Sequence, residues 1–442
     1  MIRCKKRGPG PTLYMKKKSL ILCWIAAVLP VMTSAQSQEV LTLEQCRALA
    51  LENNVKMKNA ALAVEQSRQG KREALTKYFP SVRATGMWMA ADKGLVEIDL
   101  LPELVPPVYL IDNGIAGAVT ATQPLLAGGQ IVNANKLAGV AFRVSGYRME
   151  QTRDEVVLTT EKYYWQYVGL AEKLRTVATV ERLLESTYKD VELYVRAGVT
   201  NRNDLMKVQL KRNEVKSTRL ELENGLAIVK MLLGQYIGLG SDEFSLAQDS
   251  LAALPSPLGY KVDHRTALPS TVPYRLLDQQ VEAARLQKRL AVGRNLPTVG
   301  VGASYSYDNF LNTDHRLGMI FASVSIPLTD WWGGAHAIKK QKIALQMAEN
   351  EREDASELLL IRMQKDWNDL TQAYEQVSLA QENIATAQEN LRLNTDYYRA
   401  GTSTLTDLLD AQSALQQARD QYTDRYTDYM VKLTAYLQAT GR

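Results

Sequence analysis

The sequence YYRAGTSTLTDLLDAQSA, at residues 397–414, ends one long helical pattern and begins another. An earlier sequence, YVRAGVTNRNDLMKVQ at residues 194–209, matches it at a constant offset. The aligned pairs are Tyr194 and Tyr397, Arg196 and Arg399, Gly198 and Gly401, Asp204 and Asp407, and Leu205 and Leu408. A match at a fixed offset indicates an internal duplication. Each copy is typical of a tight turn between two antiparallel helices.

Length and charge are those of an ordinary folded protein. The 442 residues allow two or three domains, and 46% of them are hydrophobic. The formal net charge is +5, but seven of the 53 basic residues lie in residues 1–35, which contain no acid. The other 46 basic residues face 48 acids. The basic excess therefore belongs to the N-terminus, and no nucleic-acid partner is expected.

Residues 1–35 have the organisation of a leader with a signal peptide. Lys16–Lys18 precede an apolar run over Leu20–Met32, and Thr33–Ala35 are small residues that suit cleavage. A membrane anchor is the alternative, but the apolar run is short for a bilayer. The sequence leaves open whether translation starts at Met1 or at Met15.

Both halves of the remaining chain show the same order of elements. The first half predicts a helix from Thr42 to about Lys77, strands over Ser81–Ala90 and Gly114–Leu125, and helices over Ile131–Arg196 and Asp204–Leu233. The second half predicts a helix over Tyr274–Val292, strands over Thr298–Tyr307 and Leu317–Leu328, and helices over Ala335–Ala400 and Thr404–Ala439. Similar junctions join strand to helix: Pro124-Leu125 with Gly128-Gly129, and Pro327-Leu328 with Gly333-Gly334. The sequence therefore divides into the leader at 1–35, a first repeat at 36–254 and a second at 255–442.

The two longest helices carry a sustained heptad seam. In the first helix, the seam is Val156, Thr160, Tyr163, Tyr167, Leu170, Leu174, Val177, Glu181, Leu184, Tyr188, Val191 and Val195. In the second, it is Trp367, Leu370, Tyr374, Val377, Ala380, Ile384, Ala387 and Leu391. Steps of three and four residues predict coiled-coil packing. At about 1.5 Å per residue, the first helix is roughly 100 Å long.

The four strands have the alternation of transmembrane β-strands. Val299, Val301 and Ala303 share one face of the third strand, with glycine and serine on the other. Trp331 and Trp332 follow the fourth strand, where membrane barrels place interfacial aromatics. Four strands cannot close a barrel, and open edges are excluded from lipid, so several chains would have to share one barrel. A small soluble sheet on a helical stalk is the alternative.

These features together resemble the TolC-type outer-membrane efflux protein family, over nearly all of residues 39–441. The resemblance rests on the duplicated Pro-Leu and Gly-Gly junctions and on the duplicated Tyr-x-Arg-Ala-Gly-x5-Asp-Leu turns. It implies a mainly α fold with a small β part, in which a homotrimer forms a long periplasmic α-barrel and a shared twelve-strand β-barrel. The apolar loop at 91–113 has no assigned role.

The resemblance also implies a function and its partners. The family forms passive exit ducts of tripartite efflux pumps or type I secretion systems in the outer membrane. Such a duct docks through a periplasmic adaptor protein, also called a membrane fusion protein, onto an inner-membrane transporter of RND or ABC type. The cargo and the cognate partners stay open. In this family the helix turns form a periplasmic tip that closes like an iris.

Acidic residues line the constriction in that family, and the matching positions here are Asp407, Asp410 and Asp204. Such a ring would attract cations and raise the pKa of its carboxyl groups. The alternative for Asp407 is a cap at the start of the last helix. Ser403 and Thr404 stand where relatives often carry a basic or polar tie.

The other tip candidates are Gly198, Gly401, Arg196, Arg399, Tyr194 and Tyr398. The glycines would supply the left-handed end of each helix. The arginines and tyrosines would brace the closed tip or meet the adaptor. The alternative for them is an ordinary solvated helix end, where basic residues suit the helix dipole.

No enzyme, cofactor or metal site is expected. His264, His315 and His336 lie far apart without the spacing of metal ligands, and no phosphate-loop or hydrolase motif occurs. An exported coiled-coil adhesin or scaffold without a channel is the competing non-enzyme interpretation. It explains the heptads, but not the two strand pairs inserted at equivalent places.

Overall fold

The computed structural model of the chain describes residues 39–92, 94–98, 108–111, 113–241, 244–247, 251, 254–311, 313–328 and 330–442. The leader expected at 1–35 lies outside these residues. The strands are β1 (Glu39–Leu41), β2 (Ser81–Ala90), β3 (Val96–Ile98), β4 (Val108–Leu110), β5 (Asn113–Ala127), β6 (Phe244–Leu246), β7 (Thr298–Asp308) and β8 (His315–Ser325). The helices are α1 (Leu43–Asn53), α2 (Val55–Thr76), α3 (Gln130–Arg196), α4 (Arg202–Ile237), α5 (His264–Ala267), α6 (Val272–Arg294), α7 (Asp330–Arg399) and α8 (Leu405–Ala439).

The four long strands form one antiparallel sheet in the order β2-β5-β7-β8. The central pair, β5 and β7, joins the first half of the chain to the second. Directly opposed residues share a face of an antiparallel sheet. Trp88 pairs with Ile115, Val119 with Tyr305, and Ala303 with Ile320. The apolar residues of all four strands therefore lie on the same face, as the alternation predicted.

That apolar face is open to the surroundings of the single chain. Trp88 is 72% exposed and Ile320 is 89% exposed, although both are large and apolar. The sheet also has two unpaired edges, on β2 and on β8. A broad exposed apolar surface of this kind is a site of contact with a partner or with lipid.

The four longest helices pack in the order α4, α3, α8, α7. α3 has 67 residues and α7 has 70, so each is about 100 Å long. The predicted seams are at these contacts: Val156, Val177, Leu184 and Val191 of α3 are buried, as are Trp367, Leu370 and Val377 of α7. α3 and α4 form one helical hairpin, α7 and α8 form the second, and α3 packs on α8 between them.

The middle of the molecule is braced by an ion pair at the contact of α1, α3 and α8. The Glu161 side chain is 1% exposed and lies 2.6 Å from the guanidinium of Arg47. The Thr434 hydroxyl donates to its other carboxylate oxygen. Burial raises the pKa of Glu161, against the opposing effect of Thr434 and Arg47. The brace therefore holds α8, which begins at the second turn, against the first half of the chain.

The first helical segment has a break, so the prediction of one helix from Thr42 to Lys77 is wrong. Asn54 stands between α1 and α2 in an extended conformation. Its side chain accepts a hydrogen bond from the Lys56 N–H at 2.9 Å and donates to the Tyr236 carbonyl at 3.1 Å. The new cap and the bond to α4 replace the helical bonds lost at the break. At the start of α1, Thr42 and Gln45 form a capping box.

The two strand-to-helix junctions are not equivalent, although the sequence predicted a repeat. Gly128 and Gly129 precede α3 with φ of 55° and 73°, the left-handed region that favours glycine. A Cβ on Gly128 would lie 2.3 Å from the Gly293 carbonyl oxygen, so this glycine also permits close contact with α6. Gly333 and Gly334 instead lie inside α7. The two extra residues of the second junction allow its helix to begin before the glycines.

The second junction also differs from the first at Pro327, which was predicted to lie in a strand, and at Trp332, which was predicted to lie at a membrane interface. β8 ends at Ser325, so Pro327 lies outside the sheet, whereas Pro124 lies within β5 beside a bulge. The strand predicted to reach Leu328 is therefore too long. Trp332 lies in the first turns of α7 and is 82% exposed.

Candidate functional site at the paired helical turns

The two duplicated turns have the same backbone structure. Gly198 and Gly401 have φ of 73° and 74°, the left-handed conformation predicted for them. The amide after each glycine donates to the carbonyl five residues earlier, Val199 to Tyr194 and Thr402 to Tyr397, both at 2.9 Å. These are the bonds of a Schellman motif, which ends a helix by satisfying its last carbonyls. Each long helix therefore ends and reverses in the same way.

Asp204 and Asp407 occupy equivalent places in the first turn of the helix that follows. Asp407 accepts hydrogen bonds from the Thr404 N–H at 3.0 Å, the Thr404 hydroxyl at 2.7 Å and the Ser403 hydroxyl at 3.0 Å. Thr404 is the cap, and the two residues form a capping box. The bonds from Thr404 and Ser403 lower the pKa of Asp407. The Asp407 carboxylate thus caps the start of α8, as the capping alternative predicts.

The first repeat uses different partners for the same carboxylate. Asn201 caps α4 through the Asp204 N–H at 3.2 Å. The Thr200 hydroxyl donates to Asp204 at 2.5 Å, and the Lys207 ammonium donates to it at 3.3 Å. Asp204 is half-buried, whereas Asp407 is exposed. Asp204 therefore has a cationic partner, whereas the hydrogen bonds to Asp407 come from hydroxyl and amide groups.

Asp410 is exposed on the same side of α8 as Asp407, one turn further along. It lies away from Leu405 and Leu409, which face α3. Among the three acidic candidates, Asp410 is therefore the one whose charge does not serve a helix start. Its placement suits a charge presented to solvent.

Two contacts join the turns across the molecule. The rings of Tyr194 and Tyr398 meet edge to face, with centroids 6.4 Å apart. The Lys207 ammonium donates to the Thr406 hydroxyl at 3.3 Å. Lys207 therefore bonds Asp204 on its own helix and Thr406 on the other hairpin. Neither Lys207 nor Thr406 is among the residues predicted from the sequence, because a comparison of the two repeats gives no information about contacts between them.

The two arginine candidates lie at the exposed ends of their helices. Arg196 is 72% exposed and pairs with Glu192 on the same helix at 3.0 Å. Arg399 is also exposed, in the last turn of α7. Exposed pairs of this kind stabilise little, and a cation suits the dipole at a helix C-terminus. The structure brings the tyrosines together, but not the arginines.

A buried polar pair lies in the seam that joins the hairpins. Gln412 of α8 is 3% exposed and donates to the Thr187 hydroxyl of α3 at 3.2 Å. The Gln412 Oε1 atom has no hydrogen-bond partner among the described residues. Leu184, Val191 and Leu409 belong to the apolar cluster around this seam. A polar layer in an apolar seam specifies register at a cost in stability.

The side chains that could bind a metal ion are spread over the described part of the fold. Within the described ranges, no group of three or more His, Cys, Asp and Glu side chains is placed to hold a metal ion. His264 lies 3.2 Å from the Tyr436 hydroxyl and His315 lies 3.5 Å from Asp308, in separate parts of the fold. Among helices of the described residues, none has an apolar stretch of sufficient length to traverse a bilayer.

Solved structures of bacterial outer-membrane channels share this fold. CmeC of Campylobacter jejuni is similar at a TM-score of 0.77 and 14% identity, over 90% of this chain and 85% of that one. The open state of MtrE of Neisseria gonorrhoeae is similar at 0.73 and 16%, over 90% and 88%. VceC of Vibrio cholerae is similar at 0.74 and 14%, over 90% and 96%.

Sequence comparison extends the likeness from the fold to the family. No curated protein sequence matches the chain significantly. The family profile described as "Outer membrane efflux protein" matches residues 47–238 and 276–442, which include both turns and the full length of all four long helices. The resemblance to TolC-type channels is thereby confirmed, and nothing found supports the adhesin alternative. With the fold, the duplicated turns and this profile in agreement, the chain belongs to the outer membrane efflux protein family.

Proposed function

We propose that this protein is the outer-membrane exit duct of a tripartite efflux pump or a type I secretion system. It acts as a homotrimer without catalytic groups, and its helical part extends into the periplasm. A periplasmic adaptor protein links it to an inner-membrane transporter of RND or ABC type. The observation that carries this proposal is the arrangement of elements within residues 39–442: an incomplete sheet at one end and two reversing hairpins at the other.

The incomplete sheet supports a shared barrel in the outer membrane. Its four strands expose one apolar face, and within the described residues the outer edges of β2 and β8 are unpaired. Three copies joined edge to edge would supply twelve strands and remove every open edge, which lipid requires. The apolar face would then be the surface in contact with lipid.

The paired turns support a gate at the periplasmic end. The contacts of Lys207 with Thr406 and of Tyr194 with Tyr398 hold the two hairpins of one chain together at their tips. Opening would separate these contacts. The contact of Lys207 with Thr406 is weak, since Lys207 is partly exposed and the Thr406 hydroxyl is neutral. A gate held by such contacts can be opened by a partner that binds the tip.

The first experiment measures the mass of the detergent-solubilised protein from outer membranes, followed by conductance in planar bilayers. A trimer that conducts supports the proposal. A soluble periplasmic monomer would contradict it and would return attention to a scaffold.

The second experiment tests the gate with matched lysine variants. Lys207→Met removes the bond to Thr406 and should raise the conductance of the resting channel. Lys211→Met is the control, since Lys211 pairs with Glu214 on its own helix. Equal conductance of both variants and the wild type would exclude Lys207 from the gate.

The third experiment separates the charge of the tip from its capping. Asp410→Asn should reduce the preference for cations and the block by multivalent cations, with little effect on stability. Asp407→Asn should instead weaken the start of α8, because Thr404 and Ser403 bond its carboxylate. Unchanged selectivity in Asp410→Asn would show that this residue does not line the constriction.

A further inference from the structure

Four helix ends meet the four long strands of the sheet. α2 ends before β2, α3 begins after β5, α6 ends before β7, and α7 begins after β8. The cationic belt is the part of these helices that lies within about 20 Å of those ends, at about 1.5 Å per residue. It consists of residues 64–77, 130–143, 282–294 and 330–343.

The charge of the cationic belt differs from that of the rest of the chain. Of the 46 basic and 48 acidic residues in 36–442, the belt contains 13 basic and four acidic residues. That leaves 33 basic and 44 acidic residues elsewhere. The near-neutral chain is therefore divided into a positive zone beside the sheet and a negative remainder.

Most of the charge in the belt has no acidic partner. Within the described residues, only Arg68 and Arg285 of the belt form ion pairs, each with an acid three residues away on its own helix. Lys71 lies over an aromatic ring and Arg143 donates to a side-chain amide, so both contacts leave the charge uncompensated. All the basic side chains of the belt are exposed except Lys288, which is half-buried. Crowded cations that repel each other fit an anionic partner.

The ends of α2 and α6 repeat one short pattern between the belt and the sheet. Lys77-Tyr78-Phe79-Pro80 precedes β2, and Arg294-Asn295-Leu296-Pro297 precedes β7. Phe79 is 67% exposed and Leu296 is 45% exposed, although both are large and apolar. In each copy an exposed apolar side chain lies next to the strand, and an exposed cation lies next to the helix.

The other two junctions have the same order of apolar and cationic residues. Leu125 is exposed near the end of β5, and Leu328 and Trp332 are exposed between β8 and the lysines of α7. Large apolar and aromatic side chains lie at the boundary of a bilayer, and Lys and Arg beyond them reach anionic headgroups. The belt thus continues the apolar face of the sheet in the way that a membrane interface requires.

We propose that the cationic belt binds the headgroups of anionic phospholipids on the periplasmic side of the outer membrane. Lys77 and Arg294 are the belt cations nearest to the strands and meet the phosphates first. The inference rests on the proposed function, because the belt meets headgroups only when the sheet lies in lipid. Bound headgroups offset the repulsion among the belt cations, so anionic lipid stabilises the trimer.

The test compares two phospholipids with the same acyl chains, added to the full-length protein purified in detergent from outer membranes. Dioleoylphosphatidylglycerol has a net negative charge, and dioleoylphosphatidylcholine has none. Phosphatidylglycerol should raise the temperature at which the trimer dissociates by more than phosphatidylcholine does. Sodium chloride at about 0.5 M should reduce the difference, because salt screens exposed charges.

Two variants with the same change in net charge locate the effect. The belt variant carries Lys77→Gln, Arg294→Gln, Lys339→Gln and Lys340→Gln. The control variant replaces four exposed basic residues outside the belt and carries Lys162→Gln, Lys216→Gln, Arg265→Gln and Arg425→Gln. Both variants should remain trimers in phosphatidylcholine, because all the replaced side chains are exposed. The apparent affinity for phosphatidylglycerol should fall about tenfold or more in the belt variant and stay near that of the wild type in the control.

The outcomes separate this inference from the function on which it rests. Equal effects of the two lipids on the wild type, or equal loss of affinity in both variants, would overturn the inference and leave the duct intact. A belt variant that keeps its affinity for phosphatidylglycerol but changes the anion preference of conductance in phosphatidylcholine bilayers would place the belt inside the duct, which also overturns the inference. A protein that is not a trimer would remove the proposed function itself.

Discussion

Replacement of Gln412 by leucine should make the protein more stable, because the glutamine is a buried polar group in an apolar seam. Its Nε2 atom donates to the Thr187 hydroxyl at 3.2 Å, but its Oε1 atom has no hydrogen-bond partner among the described residues. Leu184 and Leu409 belong to the apolar cluster of the same seam. Leucine has a similar volume and no polar atoms, so the change removes the defect without opening a cavity.

The expected gain follows from three contributions. Relief of the unsatisfied carbonyl is favourable by about 1–3 kcal/mol, whereas the lost hydrogen bond costs about 0.5–1.5 kcal/mol. Thr187 is not left unpaired, because its hydroxyl also donates to the Leu183 carbonyl at 3.0 Å. Apolar contact of the leucine adds to the gain. The net effect should be a stabilisation of about 1–2 kcal/mol per chain.

Thermal unfolding in detergent, followed by far-ultraviolet circular dichroism, measures this effect. Gln412→Leu should raise the unfolding temperature, and Gln417→Leu is the control because Gln417 is exposed on the same helix. A lower unfolding temperature for Gln412→Leu would refute the reasoning, since it would mean that the buried carbonyl is satisfied in the native protein. An equal rise in both variants would attribute the effect to leucine on α8 and not to the seam.

Three further predictions concern the rest of the fold. Burial raises the pKa of Glu161 above 4.5, so the stability of the wild type should fall as the pH rises from 4.5 through that raised pKa. In Glu161→Gln this decrease should be absent. Parallel profiles of unfolding temperature against pH for the wild type and the variant would contradict the assignment. Gly401→Ala should lower the free energy of unfolding by about 1–2 kcal/mol, since φ is 74°. Gly70→Ala, inside α2, should raise it by up to about 1 kcal/mol, because an added Cβ has no atom within 4 Å. Losses of equal size in denaturant titrations would argue against the left-handed turn. Asn54→Ala should lower the free energy of unfolding by about 1–2 kcal/mol, because the helix cap is lost. Asn59→Ala is the control, since Asn59 is exposed on the helix that Asn54 caps. A comparable loss in Asn59→Ala would show that the cap is not the cause.

Much of this fold could be predicted from local patterns. The Tyr-x-Arg-Ala-Gly turns have the same backbone in both halves because glycine and the following cap act through neighbouring residues. The heptad seams of α3 and α7 are buried where the spacing placed them. The alternation of Val299, Val301 and Ala303 assigned the apolar face of β7 correctly. These features depend on residues a few positions apart, and a single sequence displays them.

Other features depend on contacts between distant residues, and the sequence alone did not reveal them. Asn54 breaks a helix because it bonds the end of α4, which is 182 positions away. Gly333 and Gly334 repeat Gly128 and Gly129 in composition, but neighbouring insertions let α7 begin earlier. The burial of Gln412 could not be predicted from its neighbours in sequence, because it results from the packing of α3 against α8. Lys207 joins the turns because its side chain reaches from near the start of α4 to Thr406 in the first turn of α8.

The order of strands in the sheet has a consequence for folding during export. β5 lies between β2 and β7, and the contact of Thr120 with Ser304 closes a loop of 184 positions. If the chain is exported from its N-terminus, as the proposed function requires, the β2–β5 pair emerges before β7, with an apolar face and a free edge. Such a nascent pair readily recruits other strands, and non-local pairing of this span is slow. Under the proposed function, the first half of the chain would therefore have to be shielded from self-association until the second half is available for pairing.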